Sequence, residues 1–333
     1  MLAVSSEARH HFWEDELRVT GAFATPGRDE VLIASDSDTV LADFGSPYGR
    51  GPGHRRGRTS DVFVRAPNAS GLSSEQLEQV FIDATPDYSA KVAALHASAE
   101  LRRQRAPFTL VTKSDRTVPT GASERAFLDD PRLAAQFATN PSGAPHPKLH
   151  GYPAGVRPVD LWRRALSAAG AAGLQPRRER PHLLMAGCVT TATHAQRAAK
   201  LAALRAAGFG REPNCSAYHR ELLTSRFVAS FRGNGANNHR DWEALVSGAI
   251  PLVDHHPALV ELFAELPVVM VKDWARVTPA ALEAIWQRMQ TMRFDLRKAY
   301  LPHWVWRFRE ARARALREHE GAPWLWWTRG LAS

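Results

Sequence analysis

The residues best suited to bind a phosphate lie together between positions 225 and 253. An apolar segment at 227–231 precedes Arg-Gly-Asn-Gly at 232–235, and a histidine, an arginine and a glutamate follow within eight residues. Glycines let a backbone approach a phosphate closely and adopt positive φ angles. The apolar segment and a second one at 250–253 predict strands on either side of a helix. Strand, glycine turn, helix and strand form the layout of a nucleotide pocket at the carboxyl edge of a parallel sheet.

The side chains around this turn suit a nucleotide diphosphate. Arg232 and Arg240 bracket the turn with guanidinium groups that match phosphate oxygens, and the N–H groups that begin the helix favour an anion. Glu243 follows His239 by one turn on the same helix face, where a carboxylate can accept both hydroxyls of a ribose. A surface turn with charged neighbours is the alternative interpretation. The predicted nucleotide-binding residues are Arg232, Gly233, Asn234, Gly235, His239, Arg240 and Glu243.

The same stretch resembles the C-terminal domain of the exostosin-like glycosyltransferases. The resemblance lies in the pattern SRF, an apolar segment, RGNG, HR, WEAL and IP across 225–251, and in LPVVMVKDWARVTP at 266–279. It is weaker upstream, where HPKLHGYPAGVRP at 146–158 resembles a segment before the domain crossover. The chain departs from the family at Asn237 and Asn238, because the family often has an acidic residue shortly before the His-Arg pair.

The resemblance implies an α/β fold of the GT-B type, with two Rossmann-like domains whose parallel sheets face each other across a cleft. It implies an inverting glycosyltransferase of polysaccharide biosynthesis. Such an enzyme moves a sugar from a nucleotide-diphosphate sugar, expected to be a UDP-sugar, to a glycan or other hydroxyl acceptor. The donor sugar nucleotide is then a substrate, and neither a cofactor nor a metal is required.

Inverting sugar transfer needs a general base near the acceptor hydroxyl and a stabilised diphosphate leaving group. A strand predicted at 108–112 leads directly into Lys-Ser-Asp-Arg at 113–116. Since the carboxyl ends of strands in an α/β sheet face the ligand, Asp115 is the predicted catalytic base. The alternative is a turn aspartate that caps Arg116 or the next helix.

Two other functions remain open at this stage. Asp36 and Asp38 form a D-x-D sequence after an apolar segment. Such a pair can hold Mn²⁺ or Mg²⁺ against a diphosphate in a metal-dependent glycosyltransferase of the other fold, GT-A. A solvated turn is the simpler interpretation of that pair. The second alternative is a non-catalytic protein that binds carbohydrate or nucleotide on the same fold.

A metal site near the glycine turn is a weaker possibility. His239 and Glu243 are spaced like ligands on one helix face, and the pair at 255–256 adds two histidines. Arg240, however, would repel a cation beside His239. We therefore predict that the turn binds an anion and no metal.

Short apolar segments that alternate with helices predict parallel sheets. The predicted domains are an acceptor-binding domain at 1–173, a nucleotide-sugar domain at 174–295, and a C-terminal helical segment at 296–333 that returns to the first domain. Strands are expected at 61–65, 108–112 and 182–188, and helices at 72–80, 127–137 and 193–207.

Composition excludes several classes. The formal charge of +9 among 333 residues would suit nucleic acid, but the arginines are scattered among acidic residues and no nucleic-acid-binding motif occurs. No apolar run reaches the length of a membrane span, and the first residues do not resemble a signal peptide. We expect a soluble chain, cytoplasmic or part of a longer protein. A C-terminal segment rich in tryptophan and arginine could lie on a membrane surface or pack on the partner domain.

The chain contains two cysteines, Cys188 and Cys215, whose spacing fits no zinc motif. We predict that both are buried thiols.

Overall fold

A computed structural model describes residues 3–4, 61–65, 77–83, 88–97, 101–102, 104, 106–119, 121–156, 180–192, 194–299 and 301–320. In chain order, its strands are β1 (Ala3–Val4), β2 (Asp61–Arg65), β3 (Leu77–Asp83), β4 (Phe108–Lys113), β5 (Leu133–Ala138), β6 (Leu149–Gly151), β7 (His182–Met185), β8 (Ser225–Ser230), β9 (Ile250–Asp254) and β10 (Val269–Val271). Its α-helices are α1 (Tyr88–Ala97), α2 (Ala122–Leu128), α3 (Ala195–Ala206), α4 (Tyr218–Thr224), α5 (His239–Val246), α6 (Val260–Phe263), α7 (Pro279–Met289) and α8 (Leu301–Glu320).

These elements belong to two compact units, each built around one sheet. One unit contains β2 to β6 and the part of α8 from Trp304 onward. The other contains β1 and the elements from β7 to α7. The division falls between Tyr152 and Pro153, whereas the predicted boundary at 173–174 lies outside the described residues and stays a prediction.

The sheet of the first unit has the strand order β2-β3-β4-β5-β6. Strands β3 to β6 are parallel, and β2 runs antiparallel at one edge. The strand predicted at 61–65 is confirmed. The helix predicted at 72–80 is wrong from residue 77 onward, where β3 begins, and residues 72–76 lie outside the described part of the chain. The helix predicted at 127–137 is wrong, because α2 ends at Leu128 and β5 begins at Leu133. Both strands lie beside β4 in the sheet, and this non-local pairing overrides the helical propensity of alanine-rich sequence such as 133–138.

The sheet of the second unit has the order β1-β10-β9-β8-β7. Strands β7 to β10 are parallel, and β1 is paired antiparallel to β10. Strands β8 and β9 are buried on both faces, which explains their nearly continuous apolar sequence. The prediction of an α/β fold with two sheets of parallel strands is confirmed.

Glycines follow the ends of two helices in the second unit. Gly208 comes shortly after α3 and Gly248 shortly after α5, with φ angles of 102° and 77° respectively. Glycine adopts this left-handed conformation without a steric penalty and so terminates a helix readily. The predicted ends of both helices are therefore confirmed.

A buried arginine ties together the ends of three elements in the second unit. Arg180 is 2% exposed, and its guanidinium donates to the carbonyls of Leu222, Ser225 and Ser247 at 3.1, 2.9 and 2.5 Å. These carbonyls lie near the end of α4, at the start of β8 and just after α5. Burial lowers the pKa of Arg180 to about 10, so the side chain stays charged at neutral pH.

Helix α8 packs on the sheet of the first unit through aromatic side chains. Trp304 contacts Phe137 and Tyr152 edge to face, with ring centroids 6.2 and 5.1 Å apart. Arg312 donates to the carbonyl of Pro107 at 2.9 Å. Trp304 is therefore a core residue of this unit.

Within the described residues, no helix is both long enough and apolar enough to cross a lipid bilayer.

Candidate functional site

The glycine turn at 232–235 connects β8 to α5, as the sequence predicts. Its first two amides are already occupied. The N–H of Arg232 donates to Oδ2 of Asp254 at 2.7 Å, and the N–H of Gly233 donates to the carbonyl of Gly235 at 3.1 Å. These two donors stabilise the turn itself, so positive charge for an anion must come mainly from side chains.

The start of α5 carries its own carboxylate. Oδ2 of Asp241 accepts from the N–H of Asn238 at 2.8 Å and forms a capping box. Asp241 is fully buried, and burial raises the pKa of its carboxyl to about 7. When ionised, this carboxylate offsets the positive end of the helix dipole. The helix N-terminus is thus less attractive to an anion than the sequence alone suggests.

Asp254, the last residue of β9, supports the turn from the neighbouring strand. Besides the amide of Arg232, it accepts from Nζ of Lys200 at 2.7 Å and from Nε1 of Trp274 at 2.6 Å. The sequence analysis missed this residue. The signal that could have identified it is an aspartate at the carboxyl end of a strand.

Arg240 binds the loop that follows β7. Its guanidinium donates to the carbonyl of Gly187 at 2.7 Å and to the carbonyl of Cys188. The same group lies over the ring of Tyr218, 5.3 Å from its centroid. Its charge is therefore held beside Tyr218.

Glu243 is nearly buried and accepts a 2.6 Å hydrogen bond from the hydroxyl of Tyr218. Burial raises the pKa of Tyr218 well above its ordinary value; the charge of Arg240 opposes this shift and Glu243 adds to it. This tyrosine therefore remains a donor at any physiological pH. Nothing in the sequence marks Tyr218 as a partner of Glu243, because 25 residues separate the two.

The remaining predicted residues have varied surroundings. Nδ1 of His239 lies 3.1 Å from the carbonyls of Ala154 and Gly155, which require this nitrogen to carry the proton. Arg232 is half-buried. Burial, followed by the nearby charges of Arg232 and His255, lowers the pKa of His256. Asn234 is exposed.

A cleft of about 710 Å³ opens beside this network, outside the carboxyl end of β7. Its lining combines apolar and polar residues. It is lined by Gly187, Cys188, Val189, Thr190, Thr191, Ala198, Leu201, Arg205, Glu212, Cys215 and Tyr218. Arg240 contacts Gly187, Cys188 and Tyr218 of this lining, and Glu243 contacts Tyr218. None of the seven predicted nucleotide-binding residues lines the cleft itself.

The prediction of two buried thiols is wrong. Cys188 and Cys215 form a disulfide, with Cα atoms 5.3 Å apart, and Cys215 is exposed. The disulfide joins two loops that line the cleft. Sequence spacing does not reveal this pairing, because the loops meet only when β7 and α4 pack together.

The predicted catalytic base belongs to the other unit. Asp115 is exposed and follows β4, so its position at the end of that strand is as predicted. Its role as a base stays a prediction.

Metal ligands do not cluster in the described part of the chain: no group of three or more His, Cys, Asp and Glu side chains there is arranged to hold an ion. Asp36 and Asp38 lie outside the described residues.

Comparison of the chain with protein-family models and with curated protein sequences finds no match.

Proposed function

We propose that this protein is an inverting glycosyltransferase of the GT-B class. It transfers a sugar from a nucleotide-diphosphate sugar, most simply a UDP-sugar, to a glycan or another hydroxyl acceptor. The observation that carries this proposal is the cleft at the carboxyl end of β7. Arg240 donates to a carbonyl of its lining, and Tyr218, a half-buried lining residue, is hydrogen-bonded to buried Glu243.

The position of the cleft supports a nucleotide ligand, because ligands of parallel α/β sheets bind outside the carboxyl ends of the strands. The apolar residues Val189, Ala198 and Leu201 suit a nucleobase. The hydroxyl of Tyr218, fixed by Glu243, suits the ribose. In this proposal Glu243 contributes through Tyr218 as well as directly.

The diphosphate is assigned to the arginine side chains. Arg232 and Arg240 flank the turn, and a guanidinium gains a favourable interaction as negative charge develops on the leaving diphosphate. The occupied amides of Arg232 and Gly233 hold the turn rigid for this purpose. Asp115 is proposed as the base that takes the proton of the acceptor hydroxyl.

Titration calorimetry with UDP tests the donor site. We expect Arg232→Ala and Glu243→Ala each to raise the Kd for UDP about ten- to a hundredfold, because each removes a charged or hydrogen-bonded contact worth about 1.5–3 kcal/mol. Arg297→Ala is the matched control, since the Arg297 side chain is 80% exposed and pairs with Asp295. UDP affinities that are the same in all four proteins would reject the site.

A turnover assay over a set of UDP-sugars separates transfer from simple binding. Release of UDP that requires an acceptor and is lost in Asp115→Asn supports a transferase. Tight UDP binding with no sugar transfer to any acceptor would instead indicate the non-catalytic alternative.

A further inference from the structure

We propose that Arg197, on α3, is the positioning residue that holds the glycine turn of the nucleotide site in place. This inference rests on the proposed function, because it assigns the turn to that site. It also concerns a contact that can be tested without a ligand.

Arg197 connects the turn to the loop after β7 through one guanidinium group. Its Nε donates to the carbonyl of Arg232 at 3.0 Å, and a terminal nitrogen donates to the carbonyl of Phe231 at 3.4 Å. The other terminal nitrogen donates to the carbonyl of Thr190 at 3.2 Å. Thr190 lines the cleft. Arg197 therefore fixes the distance between the cleft wall and the turn.

Gly233 lies directly against this arginine. A Cβ added at Gly233 would lie 2.7 Å from a terminal nitrogen of Arg197, far inside van der Waals contact. The backbone of Gly233 does not require glycine on conformational grounds, because its φ angle is not positive. Alanine at this position would therefore require the end of the Arg197 side chain to move.

The charge of Arg197 interacts with those of Arg240 and Asp254. Burial and the charge of Arg240 lower the pKa of Arg197, whereas Asp254 opposes the shift. The side chain stays protonated near neutral pH, because even a lowered arginine pKa remains high. Lysine could not replace it, since one ammonium group cannot reach carbonyls in several directions as a planar guanidinium does.

A double-mutant cycle with Gly233→Ala and Arg197→Met tests the contact. We expect each single variant to lower the melting temperature by about 3–6 °C and to raise the Kd for UDP about tenfold. The added methyl group displaces Arg197, so both variants lose the same interaction. The double variant should therefore resemble Arg197→Met alone, with an effect well below the sum of the two.

Gly210→Ala is the matched control, because nothing lies within 4 Å of a Cβ added there and its φ angle is not positive. It should leave the melting temperature and the Kd for UDP unchanged. Additive effects of the two site variants on the melting temperature would overturn the inference. So would UDP affinity that is normal in Arg197→Met.

Failure of the proposed function gives a different result. If wild-type protein does not bind UDP, the donor assignment is rejected, while the cycle on the melting temperature still decides whether Arg197 and Gly233 interact. Arg197→Lys adds a further readout: we expect it to keep most of the thermal stability and to lose UDP affinity.

Discussion

At the scale of single residues, Asp241 is a side chain whose protonation state the fold controls through burial. It is fully buried in the first turn of α5, and burial raises the pKa of its carboxyl to about 7. The hydrogen bond from the N–H of Asn238 favours the ionised form but does not outweigh desolvation. The helix that bears Arg240 and Glu243 therefore contains a group that titrates near physiological pH.

The raised pKa makes stability depend on pH. The folded chain binds this proton more tightly than the unfolded chain, so the stabilisation is complete below about pH 4 and is lost as pH rises through about 7. The free energy of unfolding should fall by about 4 kcal/mol at most over that range from this group alone. Asp241→Asn should remove this part of the pH dependence, as measured by urea unfolding at pH 5 and pH 8. Equal pH dependence in wild type and variant would contradict the prediction.

At the scale of elements, the disulfide joins the loop after β7 to the segment that leads into α4. Cys188 and Cys215 are separated by 27 residues, and α3 lies between them in the sequence. Both cysteines line the cleft, and Tyr218 follows Cys215 closely enough for the crosslink to influence its position. The disulfide therefore acts on the cleft as well as on the unfolded chain.

Loss of the disulfide should destabilise the second unit. A crosslink that closes a loop of this length contributes about 3.6 kcal/mol in the chain-entropy treatment. We expect a variant with both Cys188→Ser and Cys215→Ser to melt at a lower temperature than wild type. A reducing agent should lower the melting temperature of wild type to that of the variant and leave the variant unchanged. A wild-type melting temperature that does not respond to complete reduction would contradict this prediction.

At the scale of the whole molecule, each unit includes a segment that is distant in sequence from the rest of that unit. Strand β1 extends the sheet of the second unit although it lies near the start of the chain. Helix α8 packs on the first unit although it follows the second in sequence, and Arg312 reaches Pro107 across 205 residues. The second unit therefore includes a strand from near the start of the described chain, and the first unit includes the helix at its end.

Two tryptophans of α8 differ in exposure, so substituting each of them separates a packing role from a surface role. Trp304 is 3% exposed and Trp306 is 56% exposed. Trp304→Ala should reduce the free energy of unfolding of the first unit by about 3–5 kcal/mol, because it leaves a cavity beside Phe137 and Tyr152. Trp306→Ala is the matched control and should change it by about 0.5 kcal/mol or less. Similar urea midpoints for the two variants would show that α8 does not pack in this way.

The sequence predicts an element well when local sequence patterns determine it, and poorly when contacts with distant segments determine it. Strands β4 and β8 have apolar sequences with little helical alternative, and both are predicted well. Segments 77–83 and 133–138 are strands because they pair with β4, which no local pattern reports. The pairing of Cys188 with Cys215 is hidden for the same reason.

The same distinction between local patterns and non-local contacts applies to the candidate site. The sequence by itself determined the strand, glycine turn and helix at 225–246, since short apolar segments, glycines and capping residues act over a few positions. Only the tertiary structure decided what surrounds the turn. It placed Asp254 on the amide of Arg232, Tyr218 on Glu243 and Arg197 against Gly233. These partners come from other strands, helices and loops, and hydrogen bonds and close contacts between them exist only once the sheet has brought those elements together.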